Sequence, residues 1–185
     1  MSTDRIEQNV LLHAPIARVW RALSDSAEFG SWFGMKFDRT FKPHTRITGQ
    51  IAPTTADPEI AAMQEAYAGL IFEFIIEDIH PEKLLSFRWH PHAIDPQLDY
   101  SSEPTTLVVF TLEEREDGVL LTVVESGFER IPIARRETAY TANEGGWGIQ
   151  MRMIAAYLAR IMHDSLEMAA LPAEHFLRPG GTIIQ

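Results

Sequence analysis

One acidic residue raises the question of chemistry in this 185-residue chain. In the stretch LLTVVESGFERI, Leu120–Ile131, the residues up to Ser126 read as a strand. Side chains alternate faces along a strand. If Leu121 and Val123 point to the core, Glu125 points there too. An unpaired buried carboxylate costs several kcal/mol. Glu125 must then be neutral, paired, or close to water. Arg88, Tyr140 and the Asn143–Glu144 region are its available partners. A twist or bulge before Gly127 would instead leave it in water at the rim. In an apolar site, desolvation would favour the neutral acid, which suits ligand hydrogen bonding or general acid catalysis.

Other chemistry-bearing patterns are sparse. His90 and His92 flank Pro91, with Asp95 and Asp99 following, but no third histidine completes a zinc site, and no metal is expected. Ser126 before Gly127 has no triad context. The sequence contains no H-E-x-x-H, G-x-S-x-G, P-loop or G-x-G-x-x-G pattern. With no cysteine, thiol catalysis, cysteine-bound zinc and disulfides are excluded.

The elements that position these residues follow from periodicity. Ile6, Gln8, Val10 and Leu12 alternate as a first strand. Pro15 opens a helix whose stripe is Ile16, Val19, Trp20 and Leu23. DSAE, Asp25–Glu28, forms a capping box for a second short helix carrying Phe29, Trp32 and Phe33. Short strands are expected near Met35–Phe41 and Thr45–Ile51. Asp57 and Pro58 then start a short helix with Ile60, Met63 and Tyr67 on one face, which reads as a lid.

Four strands follow. Leu70, Phe72, Phe74 and Ile76 share a face, with Glu73 and Glu77 opposite. Leu85, Phe87 and Trp89 align against Ser86 and Arg88. Val108, Phe110 and Leu112 face one way, and Asp117-Gly118 marks a hairpin before the Glu125 strand. Trp147, Met151, Ile154, Leu158 and Ile161 step as the stripe of a long helix, expected to begin around Arg135–Tyr140. Gly145, Gly146 and Gly148 within it suggest a bend or a close approach. Without repeats or a linker, one domain over residues 1–170 is expected, with a tail over 171–185.

Sixteen basic residues against 26 acidic ones give a net charge of −10, which disfavours nucleic acid and anionic membranes as partners. Arg130, Arg135 and Arg136 sit among Glu129 and Glu137 and read as solvated surface. The start has no basic segment leading into an apolar run, and no stretch is long enough to span a membrane. A cytoplasmic protein is expected.

Four segments together resemble a known family: APIARVWRALSDSAEFGSWFG, IHPEKLLSFRW, TLVVFTLEEREDGVLLTVVESGF and NEGGWGIQMRMIAAYL. Their order resembles the START-like, birch-pollen-allergen (SRPBCC) superfamily. It is closest to the family named for the activator of the Hsp90 ATPase. The resemblance implies an α+β helix-grip fold: a curved antiparallel sheet wrapped around a long C-terminal helix, with two short helices after the first strand. It also implies a cavity between sheet and helix. The aromatic residues read either as an ordinary packed core or as the lining of that cavity; the fold favours the cavity, and the expected lining is Trp32, Phe33, Phe72, Phe74, Phe87, Trp89, Phe110, Glu125, Phe128, Trp147 and Met151, under the lid of Ile60, Met63 and Tyr67. The eukaryotic co-chaperone that names the family carries an extra N-terminal domain, for which this chain has no room, so chaperone activation is disfavoured. The insertion Ala52–Gly69 and the loop HPHAIDPQLDYSSEP are longer than a minimal member needs and should lie near one end of the sheet.

Three functional classes follow in order of preference. The first is a protein that binds a small apolar or amphipathic molecule without a cofactor. The second is an acid–base enzyme of cyclase, dehydratase or hydrolase type using Glu125. The third is a co-chaperone-like interaction module. A homodimer is an open alternative.

Overall fold

The computed structural model describes residues 4–170, so the expected tail over 171–185 lies outside the described residues. The elements are β1 (Arg5–Leu12), α1 (Ile16–Ser24), α2 (Ser26–Phe33), β2 (Met35–Phe37), β3 (Thr45–Ile51), α3 (Pro58–Gln64), β4 (Ile71–His80), β5 (Leu84–Trp89), β6 (Thr106–Arg115), β7 (Gly118–Ser126) and α4 (Ile133–Ala170). One antiparallel seven-stranded sheet has the order β1-β7-β6-β5-β4-β3-β2. This is the helix-grip fold, α+β, with the sheet curved around α4.

Strand parity sets the core. Along β7, Val119, Leu121, Val123 and Glu125 are buried while their neighbours are only half-buried. The inward residues Phe74 and Phe87 meet ring to ring across β4 and β5 at 5.1 Å, and Phe110 on β6 continues the layer at 6.2 Å from Phe87. Between Ile76 and Ile79 the β4–β5 register shifts. There the Asp78 N–H donates to the Ser86 hydroxyl at 3.1 Å, so the bulge leaves no orphan donor at that point. On the outer face Arg88 donates to Glu77 at 2.9 Å.

The β6–β7 hairpin differs in detail from the expected Asp117-Gly118 turn. Arg115 pairs with Gly118, so Glu116 and Asp117 form the two-residue loop. Gly118 is needed for another reason: a Cβ there would lie 2.3 Å from the Leu12 carbonyl oxygen. The end of β1 therefore closes over a residue that has no side chain.

Asp25 caps α2, accepting from the Ala27 and Glu28 N–H groups at 2.9 and 3.0 Å. Asp25→Ala should lower stability by about 1 kcal/mol. Urea unfolding with an unchanged m-value is the check, and a loss below half of that would mean that the cap is redundant. Glu28 does not close a capping box. Its carboxylate takes Arg18 at 2.8 Å and Arg21 at 2.7 Å, and the Tyr157 hydroxyl donates to it at 3.2 Å. The side chain expected to cap α2 thus ties α1 and α2 to α4. Burial, followed by the Glu28 charge, raises the Tyr157 phenol above its ordinary pKa.

α4 starts at Ile133, earlier than expected, and its 38 residues span about 57 Å at 1.5 Å per residue. Trp147, Met151, Ile154 and Leu158 are buried as the stripe required. The glycines do not interrupt the helix, which runs unbroken through Gly145, Gly146 and Gly148. The expected close approach is absent, since a Cβ at any of the three would meet nothing within 4 Å. Burial of the stripe outweighs about 1 kcal/mol of helix propensity per glycine. Among the described residues, no helix is long and apolar enough to cross a membrane.

Candidate functional site

Glu125 is fully buried, and its surroundings answer the question its parity raises. On one oxygen it accepts from the Trp89 indole N–H at 2.8 Å and the Thr106 hydroxyl at 2.6 Å. On the other it accepts from the Trp147 indole N–H at 2.6 Å. The Asn143 amide nitrogen bridges both oxygens at 3.1 and 3.0 Å. β5 supplies Trp89, β6 supplies Thr106, and Asn143 and Trp147 come from α4, one helical turn apart. An indole N–H can only donate, so the two tryptophans present donors to a group that accepts. These neutral donors take the place of the cation considered as a partner. Arg88 is on the opposite face with Glu77, and the Tyr140 hydroxyl donates to the Arg5 carbonyl at 3.2 Å. Of the expected partners, Asn143 alone reaches the carboxylate.

The network backs onto two adjoining clefts. One, of about 90 Å³, is lined by Phe33, Trp89, Ala142, Asn143, Gly146, Trp147 and Gln150. The other, of about 180 Å³, shares Phe33, Trp89, Asn143 and Gln150, and adds Met35, Ile51, Gln64, Tyr67, Phe72, His92 and Ile94 among others. The two long insertions meet here, Gln64 and Tyr67 from one and His92 and Ile94 from the other. Burial, followed by the Arg135 charge, lowers the His92 pKa, so its ring is neutral at neutral pH. A larger groove of about 370 Å³ lies against α2, β2 and the start of the Ala52–Gly69 insertion, but none of Glu125's partners lines it.

Of the expected lining, Phe33, Phe72, Trp89 and Trp147 border the clefts. Trp32, Phe74, Phe87, Phe110, Phe128 and Met151 border neither. The rings are packed among other rings: Trp32 lies tilted 4.7 Å from Phe29, and Phe128 lies 5.2 Å from Tyr140. Large rings therefore fill much of the space between sheet and helix, and the two clefts lie beside Phe33, Trp89 and Asn143. Glu125 lies behind the wall formed by Trp89, Asn143 and Trp147, and it lines neither cleft.

The lid is also turned from its expected setting. Ile60 packs on the core, but Met63 is 62% exposed and Tyr67 is 44% exposed. Gln64 faces inward instead. It accepts from the Thr54 N–H at 2.7 Å and donates to the Phe33 carbonyl at 3.3 Å. A helix of seven residues has too few positions for periodicity to fix its face, and Gln64's two hydrogen bonds decide it. Arg135 departs from the surface expected of it. It pairs with Glu103, donates to the Pro91 carbonyl at 2.8 Å and lies 4.9 Å over the Tyr100 ring, clamping the 91–103 loop to α4. Periodicity gave no signal for Thr106, Gln64 or Gln150. Among the described residues, one group of three metal-ligating side chains occurs, His163, Asp164 and Glu167, all exposed on α4 and remote in sequence from the cleft residues.

Over residues 13–159 the sequence matches the family described as Activator of Hsp90 ATPase homolog 1-like protein. The chain belongs to that family. Solved structures agree on the fold of this Hsp90-ATPase-activator-like chain. MLL2253 from Mesorhizobium loti is 22% identical, covering 84% of this chain and 97% of its own, with a TM-score of 0.62. NE0264 from Nitrosomonas europaea is 17% identical, covering 88% and 99%, with a TM-score of 0.60. The protein encoded by BPP1335 from Bordetella parapertussis is 19% identical, covering 86% and 76%, also at 0.60. No curated protein matches the sequence. At these identities the family likeness establishes the helix-grip architecture and leaves activity to the site itself.

Proposed function

We propose that the protein binds a small, largely apolar molecule in the cleft between α3, the open end of the sheet and α4. The observation that carries this is the composition of the cleft wall. Phe33, Phe72, Trp89, Met35, Ile51 and Ile94 supply apolar surface, while Gln64, Asn143 and Gln150 add neutral polar groups. Apolar concavities with a few placed polar groups are the usual small-molecule sites. Catalysis by Glu125 is less well supported, because both its oxygens are engaged by protein donors and it does not line the cleft.

Naphthalene is a suitable first probe, being apolar, rigid and uncharged. On its addition, amide exchange over 58–67 should slow, because the segment is a short element with few buried side chains that covers the site. The indole N–H resonances of Trp89 and Trp147 should shift with it. Unchanged exchange and unchanged indole signals at saturating naphthalene would remove the reading.

A further inference from the structure

We infer that the cleft, together with the adjoining smaller one that Gly146 lines, selects a neutral ligand carrying a hydrogen-bond donor, seated over Gly146 between Asn143 and Gln150. This rests on the cleft being a binding site and adds the chemistry of what it holds.

The two amide side chains have fixed orientations. Asn143 Nδ2 faces both oxygens of Glu125, and Gln150 Nε2 donates to the Phe33 carbonyl at 3.0 Å. A carboxylate and a carbonyl accept and do not donate, so neither amide can be turned over without facing an acceptor with an acceptor. Both amides therefore keep their carbonyl oxygens, and Gln150 Nε2 keeps its second N–H. Gln150 Oε1 is buried and has no donor among the described residues. Gln64 does not offer the same, since its oxygen accepts from Thr54 and its nitrogen donates to Phe33. A ligand hydroxyl, amine or amide N–H would satisfy Gln150 Oε1, the one buried polar side-chain atom of the cleft residues without a partner among the described residues, whereas a ligand acceptor would leave it unpaired.

Charge points the same way. Neither cleft is lined by lysine or arginine, His92 is held neutral, and Glu125 stands directly behind Trp89 and Trp147. The nearby Arg135, whose charge reaches His92, is already paired with Glu103, so no free cation of the lining compensates an anion. Gly146 lies three residues after Asn143 and four before Gln150, so all three share one helix face. A Cβ at Gly146 meets nothing within 4 Å, so its missing side chain leaves space rather than avoiding a clash.

Three probes of one shape test this by calorimetry: 2-naphthol, 2-methoxynaphthalene and 2-naphthoate. The expected order is 2-naphthol about tenfold tighter than the methyl ether, the gain from satisfying a buried acceptor, with no binding of the naphthoate. Gln150→Met should erase the preference for naphthol over its ether. Gly146→Leu should abolish naphthol binding while the melting midpoint stays level or rises by roughly 2–4 °C, because a helix glycine has been replaced. Gly145→Leu is the matched control: its added side chain likewise starts in open space, and Gly145 lines neither cleft, so binding should persist. Equal affinity for naphthol and its ether, or binding of the naphthoate, overturns the inference and leaves the cleft as a binding site. Failure of both neutral probes to bind removes the site reading itself.

Discussion

Trp147→Ala is expected to lower folding stability by about 4–5 kcal/mol. The indole is 2% exposed and lies 5.7 Å from Phe110, 5.8 Å from Trp89 and 6.0 Å from Phe33, centroid to centroid. Truncating a packed Trp or Phe to Ala typically costs about 3–5 kcal/mol. Here the substitution also takes a donor from Glu125. Trp147→Phe separates the two contributions. It keeps most of the ring and loses the N–H, so it should cost about 2 kcal/mol, the scale of a hydrogen bond to a charged group. Urea unfolding of both variants is the measurement. A Trp147→Ala loss below about 2 kcal/mol would show that the ring covers a void instead of filling a core.

Glu125→Gln comes next, at about 2–3 kcal/mol, although it is nearly isosteric. Glutamine has one acceptor oxygen where glutamate has two. Turned one way, its NH₂ meets the Trp89 indole and the Thr106 hydroxyl; turned the other way, it meets the Trp147 indole. Thr106 can rotate and accept, but an indole cannot. At least one buried indole N–H therefore loses its partner in either orientation, at about 1–3 kcal/mol, beyond the loss of charge-assisted bonds. In a double-mutant cycle with Trp147→Phe the losses should not add, since the two residues share a bond. Full additivity, or a Glu125→Gln loss under 1 kcal/mol, would argue against the network as described.

The inward direction of Glu125 was legible because β7 is regular and paired on both sides, so the parity of Leu121 and Val123 carried through. Its partners were less so. Trp89 shared the inward parity of Leu85 and Phe87, and that signal already placed Arg88 on the other face. Thr106 depends on which β6 residue opposes which β7 residue, a register that a single strand does not encode. Gly145, Gly146 and Gly148 mislead a propensity argument because tertiary burial decides whether α4 continues. Met63 and Gln64 exchanged roles because two side-chain hydrogen bonds, invisible to hydropathy, orient a two-turn helix. Alternation shows the aromatic residues to be inward-facing, but filled and empty space look alike in sequence. Only the folded arrangement distinguishes Phe110, fully buried in the packed layer, from Phe72, which lines the opening.

Contact between the α4 stripe and the sheet is non-directional. Apolar burial of Met151, Ile154 and Leu158 does not by itself name one axial position for the helix, whose turns repeat about every 5.4 Å. The Glu125 carboxylate selects one. It sits at a fixed height on β7 and is gripped from α4 by Asn143 and Trp147 together, so a one-turn displacement would break both grips and strand a buried charge. The carboxylate therefore acts as an axial stop for the helix. By fixing where Gly146 and Gln150 lie against Phe33 and Trp89, it sets the dimensions of the cleft from outside it.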